Sequence, residues 1–254
     1  MSNIEFWDPE IVIIWGCKPS QQYGRDWLLH LLRPCWVKEI NWFDSFELEP
    51  FHIHKNALVI LIESGIYLLE SNINRKDLEV YNDYRLQRIN HLRHLPNFII
   101  WHMSDDQGLD GNYFYTKIAK DIRIYREFQC DQFSLLNNIR NVPLGPSRWA
   151  LKDNPWLNSS ERKYSWSFIG TDWSNNSRKE AVKFFTENIP GGFSSLGSNF
   201  GRGMSSNKYI ENTLNSSFIP CPKGNFHFET IRFYESLELG AIPIVIKGSE
   251  IFLK

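Results

Sequence analysis

Ser217–Ile246 reads SFIPCPKGNFHFETIRFYESLELGAIPIVI, and the order of residue types in it decides the fold. Ser217 to Cys221 is a short apolar strand, and Pro222-Lys223-Gly224 is a turn. A helix starts after that turn, and Gly240-Ala241-Ile242-Pro243 leads from it into a β-branched strand. Strand, helix and strand in this order form half of a βαβ series, since parallel strands need a crossover and a helix supplies it. The loop before the helix is basic and contains glycine. Free N–H groups and the helix dipole at such a place both favour an anion.

Working outward, the same alternation recurs upstream. IVIIW (Ile11–Trp15), ALVILI (Ala57–Ile62) and FIIWHM (Phe98–Met103) are apolar runs of the kind buried strands carry. Asp26 is placed to cap a helix reaching about Leu32. Between Arg75 and Leu92, Leu78, Tyr81, Ile89 and Leu92 recur at helical spacing. Tyr113–Lys120 reads as a helix, Ile122–Tyr125 as a short strand, and Asn141–Leu144 as the end of a first domain. Pro143, Pro146, Pro155 and the polar run Asn158–Lys163 are loop chemistry. A second series follows: strand Trp166–Gly170, helix Asn175 to Asn188, a Gly/Ser-rich loop Gly191–Gly203 and a helix Asn207–Leu214. The expected class is α/β, with two Rossmann-like domains built on parallel sheets, residues 1–148 and 149–254. The second domain reads as truncated, because the chain ends at Lys254, soon after the Pro243 strand.

Composition narrows the function classes. The 254 residues are 42% hydrophobic and carry a net charge of −1, enough apolar material for two cores and no excess of basic charge. Neither a nucleic-acid nor a membrane-surface partner is expected from that balance. Aromatic residues make up 15% and include ten tryptophans, which serve either core packing or stacking on sugar rings. Cys17, Cys35, Cys130 and Cys221 have no metal-binding spacing and suggest reduced thiols. No signal peptide or membrane anchor is read in the chain, so a cytoplasmic location is expected.

The residues with chemistry to offer gather at strand ends. Thr230, Arg232 and Glu235 follow the Lys223–Gly224 loop along the first turns of the helix. Arginine pairs with a diphosphate through its planar fork, and a carboxylate accepts hydrogen bonds from ribose hydroxyls. Together they read as a nucleotide site, although Arg232 and Glu235, three apart, also suit an ion pair on the helix surface. Gly224 serves either that loop or a plain tight turn. Gly170 and Thr171 end a strand where open α/β sheets place ligand loops, or where an ordinary strand–helix turn sits. Arg178 reaches toward a phosphate or remains a solvated helix charge. Asp105 and Asp106 follow the Phe98 strand and are either a general base or loop carboxylates that cap a helix. His102 reads as a core histidine, His227 as a possible phosphate neighbour, and His91 and His94 as solvated.

The Ser217–Ile246 segment resembles the signature of exostosin-like glycosyltransferases. The matching positions are Pro222, Lys223, Gly224, Glu229, Thr230, Arg232, Glu235, Gly240, Ile242 and Pro243. Lys223 stands where that family usually has arginine, which keeps the charge and loses the bidentate fork. IIWHMSDD (Ile99–Asp106) is similar to the strand and acidic turn in the first domain of exostosin-like and ribitol-xylosyltransferase-like proteins, and SFIGTDWSNNSRKEAV (Ser167–Val182) to the opening of their second domain. The resemblance implies a GT-B arrangement and an inverting transfer from a nucleotide-sugar, UDP-linked by expectation, to a glycan or polysaccharide hydroxyl. It also implies donor binding by Gly170, Arg178, Lys223, Gly224, Thr230, Arg232 and Glu235. The base would come from the first domain, Asp106 ahead of Asp105. No Asp-x-Asp pair is present, so the leaving diphosphate is expected to be stabilised by basic side chains and a helix dipole without a metal or other cofactor. The competing reading is a degenerate, non-catalytic protein that keeps only the nucleotide loop.

Overall fold

The structure is a computed structural model and describes residues 10–17, 24–42, 53–64, 75–103, 115–118, 120–128, 133, 136–147, 149–152, 154–172, 177–197, 204–224 and 227–245. The chain divides into two compact units, Met1–Pro143 and Leu144–Lys254.

The first unit runs β1 (Ile11–Trp15), α1 (Arg25–Leu31), β2 (Val37–Asn41), β3 (Leu58–Ser64), α2 (Arg75–Leu92), β4 (Phe98–Met103), β5 (Arg123–Arg126) and β6 (Ile139–Asn141). Its sheet has the order β2-β1-β3-β4-β5-β6, and every pairing is parallel. The period-2 alternation of a strand sends one residue set to each side. Val12, Ile14, Val59, Leu61 and Ile100 pack with Ile89 and Leu92 of α2, while Ile11, Ile13, Ile60 and Ile62 pack with Leu28 of α1. Both faces are therefore covered, which is why β1, β3 and β4 are apolar without a break.

The second unit runs β7 (Tyr164–Thr171), α3 (Ser177–Asn188), β8 (Phe193–Gly197), α4 (Ser206–Leu214), β9 (Ser216–Cys221), α5 (Ile231–Glu238) and β10 (Ile242–Val245). Its parallel sheet has the order β10-β9-β7-β8. Trp166 and Phe168 of β7 pack on Val182 and Phe185 of α3. Ile219 and Cys221 of β9 pack with Ala241 and Phe233. Ahead of β7, a short 3-10 turn Ser159–Glu161 is closed by Glu161, whose carboxylate accepts the Asn158 N–H at 2.9 Å. Arg162 then donates to the carbonyls of Leu157, Ser216 (2.6 Å) and Gly240 (2.7 Å), tying the entry loop to β9 and to the turn before β10.

Each sheet reverses its order of addition once, between β1 and β3 in the first and between β7 and β9 in the second. Open α/β sheets bind ligands outside the carboxyl ends of the strands at such switch points. Three strands depart from the sequence expectation. β2 was unforeseen because VKEIN is a half-exposed edge strand without an apolar run, β6 is a three-residue strand, IRN, on the opposite edge of the same sheet, and β8 lies inside the stretch expected to be a Gly/Ser-rich loop. No helix among the described residues is long and apolar enough to cross a membrane.

Candidate functional site

The second switch point is built from two strand–helix turns. β7 ends at Thr171 and leads to α3, whose second residue is Arg178. β9 ends at Cys221 and leads through Pro222-Lys223-Gly224 to α5, whose second residue is Arg232. The two turns are joined, because Ser177 at the start of α3 donates its hydroxyl to the Lys223 carbonyl at 3.1 Å. Gly224 N–H donates to the His227 carbonyl at 2.7 Å and closes the second turn. A Cβ on Gly224 would lie 3.2 Å from that carbonyl oxygen and 3.3 Å from the Thr230 methyl, so glycine fits there with least disturbance.

Arg232 is buried and lies across β7. Its Nη2 donates to the Ile169 carbonyl at 2.7 Å, and its guanidinium carbon sits 4.3 Å from the centre of the Phe168 ring. Gly170 makes this possible, because a Cβ there would overlap the Arg232 guanidinium. Arg178 is buried too, and its Nη1 donates to the Thr171 carbonyl at 2.8 Å. Burial, and then the positive charge of Arg232, pull the Arg178 pKa below the ordinary arginine value, with Asp172 opposing. Arg178 thus feels the charge of a second buried guanidinium. Among the described residues, Arg232 Nε and the Thr230 hydroxyl are buried without a hydrogen-bond partner. Thr230 is the extended N-cap of α5, and its side chain makes no cap bond. Lys223 lies beside this turn with its Nζ 5.5 Å from the Phe228 ring centre.

The two glutamates of the motif are both buried. Glu235 accepts the Ser147 hydroxyl on Oε1 and the Tyr209 hydroxyl on Oε2, the latter at 2.5 Å. Burial, and then the Glu235 charge, hold the Tyr209 phenol well above its ordinary pKa, so it stays a donor. Glu229 accepts the Leu144 N–H at 3.1 Å and the Tyr234 hydroxyl. Both carboxylates therefore fasten α5 and its entry to residues 144–147, an attachment sequence spacing could not reveal.

Of the expected site residues, the structure gathers Gly170, Arg178, Lys223, Gly224, Thr230, Arg232 and Glu235 around the ends of β7 and β9. Asp105 and Asp106 lie outside the described residues. His102 is fully buried in β4, as a core histidine should be. It belongs to a network that sequence reading missed. Arg88 donates to both oxygens of Glu63 at 2.9 Å and to the Gly16 carbonyl at 3.1 Å. Arg85 Nε lies 3.3 Å from Glu63 Oε2, and His102 Nδ1 lies 2.6 Å from the Tyr115 hydroxyl, to which Arg126 donates at 3.3 Å. Burial, and then Glu63, push the nearby Cys17 thiol up to about 12. The legible signal was Glu63 itself, a carboxylate closing an apolar strand, with Arg85 and Arg88 three apart on one helix.

Among solved structures, an α-glucosyltransferase in complex with UDP and a 13-mer DNA containing a central A:G mismatch matches over 94% of this chain and 80% of that one, with a TM-score of 0.50 and 13% identity. The fold is of the GT-B type. No family model matches the chain, and no curated protein aligns with it in sequence. The likeness is one of architecture.

Proposed function

We propose that the chain is a glycosyltransferase whose second unit binds the diphosphate of a nucleotide-sugar at the β7/β9 switch point. The observation that carries this reading is the pair of buried guanidiniums, Arg178 and Arg232, set at two helix starts with Arg232 Nε and the Thr230 hydroxyl still without partners. Two like charges held close in a buried place favour an anion between them. Lys223 and the Gly224 turn add charge and N–H groups, and Glu235 follows on the same helix to receive ribose hydroxyls. The UDP-bound α-glucosyltransferase of similar architecture supports UDP as the first donor base to test. The motif order from Pro222 to Pro243 supports an exostosin-like chemistry: an acceptor hydroxyl displaces the diphosphate with inversion and without a metal. Asp106, on the segment after β4, is the general base of this scheme, with a glycan or polysaccharide as acceptor.

Calorimetric titration with UDP and GDP, with and without attached sugars, tests the donor half. Binding of one nucleoside diphosphate with a dissociation constant below millimolar supports it, and silence toward both sinks it. Asp106→Asn tests the other half. Turnover should fall by about 10²–10⁴-fold with nucleotide affinity unchanged. Binding without transfer from any nucleotide-sugar would instead favour the non-catalytic nucleotide-binding protein.

A further inference from the structure

Glu235 already holds two hydroxyl groups, one on each oxygen, and this bears on how a ribose reaches it. Ser147 supplies one and Tyr209 the other. One hydroxyl per oxygen is also how a vicinal diol grips a carboxylate. A buried carboxylate without donors is costly, so the empty site needs these two. They are not equivalent. Tyr209 is anchored in α4, with its ring in the cluster around Ile210 and Leu239. Ser147 stands in the irregular segment 142–147, after Gly145 at φ +68° and Pro146. Its backbone is kept in place by the Ala150 N–H bond to its carbonyl at 3.0 Å. Rotation about its χ1 therefore withdraws the hydroxyl while the backbone stays still.

Resting on the nucleotide reading above, we propose that Ser147 is a specificity-determining residue of the donor site. Its hydroxyl occupies the Glu235 oxygen that a ribose hydroxyl takes on binding, while Tyr209 keeps the other oxygen and positions the carboxylate. The site then discriminates by exchange. A ligand with a ribose diol replaces the Ser147 bond, whereas one lacking both hydroxyls leaves Ser147 in place and gains nothing from Glu235. Each exchange trades one hydrogen bond for another, so Ser147 lowers the affinity for ribonucleotides without altering that for dideoxynucleotides.

The test is calorimetry of the full chain with UDP and 2′,3′-dideoxy-UDP, and in parallel with GDP and its dideoxy form. Ser147→Ala should tighten the ribonucleotide by about three- to tenfold, the range set by one net hydrogen bond. It should leave the dideoxy form unchanged, so the ratio of the two affinities rises. Ser147→Thr retains a hydroxyl and should keep the wild-type ratio. Tyr209→Phe should lower the ratio, because the carboxylate loses its fixed orientation. A ratio in Ser147→Ala equal to wild type overturns the proposal, whether both affinities move together or neither moves. Absence of nucleotide binding, or binding indifferent to Arg232→Ala, overturns the underlying nucleotide reading, and this proposal falls with it.

Discussion

The two switch points use one device in opposite ways. In each, an arginine from a helix lies over a glycine at the carboxyl end of a central strand. At the β1/β3 point a Cβ on Gly16 would come within 2.6 Å of Glu63 Oε1 and 2.9 Å of Arg88 Nε. At the β7/β9 point a Cβ on Gly170 would overlap Arg232. The difference is the counter-charge. Arg88 meets both oxygens of Glu63, which also receives Arg85, so the first crevice is filled by an ion cluster built on a carboxylate of the chain itself. Among the described residues, Arg232 meets a carbonyl and a ring, and the charge that Arg178 feels most is that of Arg232. Arginine in a sheet crevice is thus no marker of a ligand site by itself. Among the described residues, what separates Arg88 from Arg232 is that Arg88 is met by a carboxylate and Arg232 by a carbonyl and a ring.

The largest effect that would break this contrast is in the first unit. Glu63→Ala leaves Arg85 and Arg88 buried without their carboxylate and should lower stability by about 3–5 kcal/mol. Urea unfolding reads it, and a loss under about 1 kcal/mol would mean that this cluster is not self-compensating. Next comes Arg232→Ala in the second unit. It should weaken nucleoside diphosphate binding by about 2 kcal/mol or more, as loss of a charge-assisted hydrogen bond implies. Unchanged affinity in a folded variant would move the anion elsewhere.

The smallest effect carries the most telling sign. Arg178 has a folded pKa below its unfolded one, so the folded state holds its proton less firmly. Its charged form therefore opposes folding at neutral pH, and this penalty is relieved as pH rises from the folded value toward the ordinary arginine value. Arg178→Gln should accordingly leave unliganded stability unchanged or raise it by about 1 kcal/mol at most, and should remove that alkaline gain. It should also abolish most of the thermal stabilisation that saturating UDP gives the wild type, about 2.7 kcal/mol at a hundredfold excess over Kd. A loss of unliganded stability like that of Glu63→Ala would erase the distinction between the two crevices.

Much of this architecture was legible because the strands at the centre of each sheet are buried on both faces. IVIIW, LVILIES and FIIWHM carry few polar atoms, and no helix period fits such short runs. The edges were harder. β2 alternates polar and apolar residues, and β8, FSSLG, resembles its neighbouring loop, because only pairing with β7 makes it a strand. The turn after β9 was readable for a local reason: Pro222, Lys223 and Gly224 are turn chemistry, and Arg232 stands on the helix that follows. Glu235 was not, since spacing offered ribose or Arg232 as its partner. The residues it meets are Tyr209 and Ser147, 26 and 88 positions away. In the Glu63 cluster the residue types were legible and the pairing was hidden for the same reason, as Arg88 and Gly16 are 72 positions apart.

Arg162 carries one more consequence, for the order of events in folding. Two of the carbonyls it holds, Ser216 and Gly240, are 54 and 78 residues from it along the chain. Neither is in place until β9 has found β7 and the α5–β10 turn has closed. Long-range closures of this kind come late, after the entropy of joining distant segments has been spent. The Arg162 knot is therefore expected to form after the rest of the unit. Arg162→Ala should speed the unfolding of the second unit and hardly change how fast it assembles, as stopped-flow folding and unfolding rates would show.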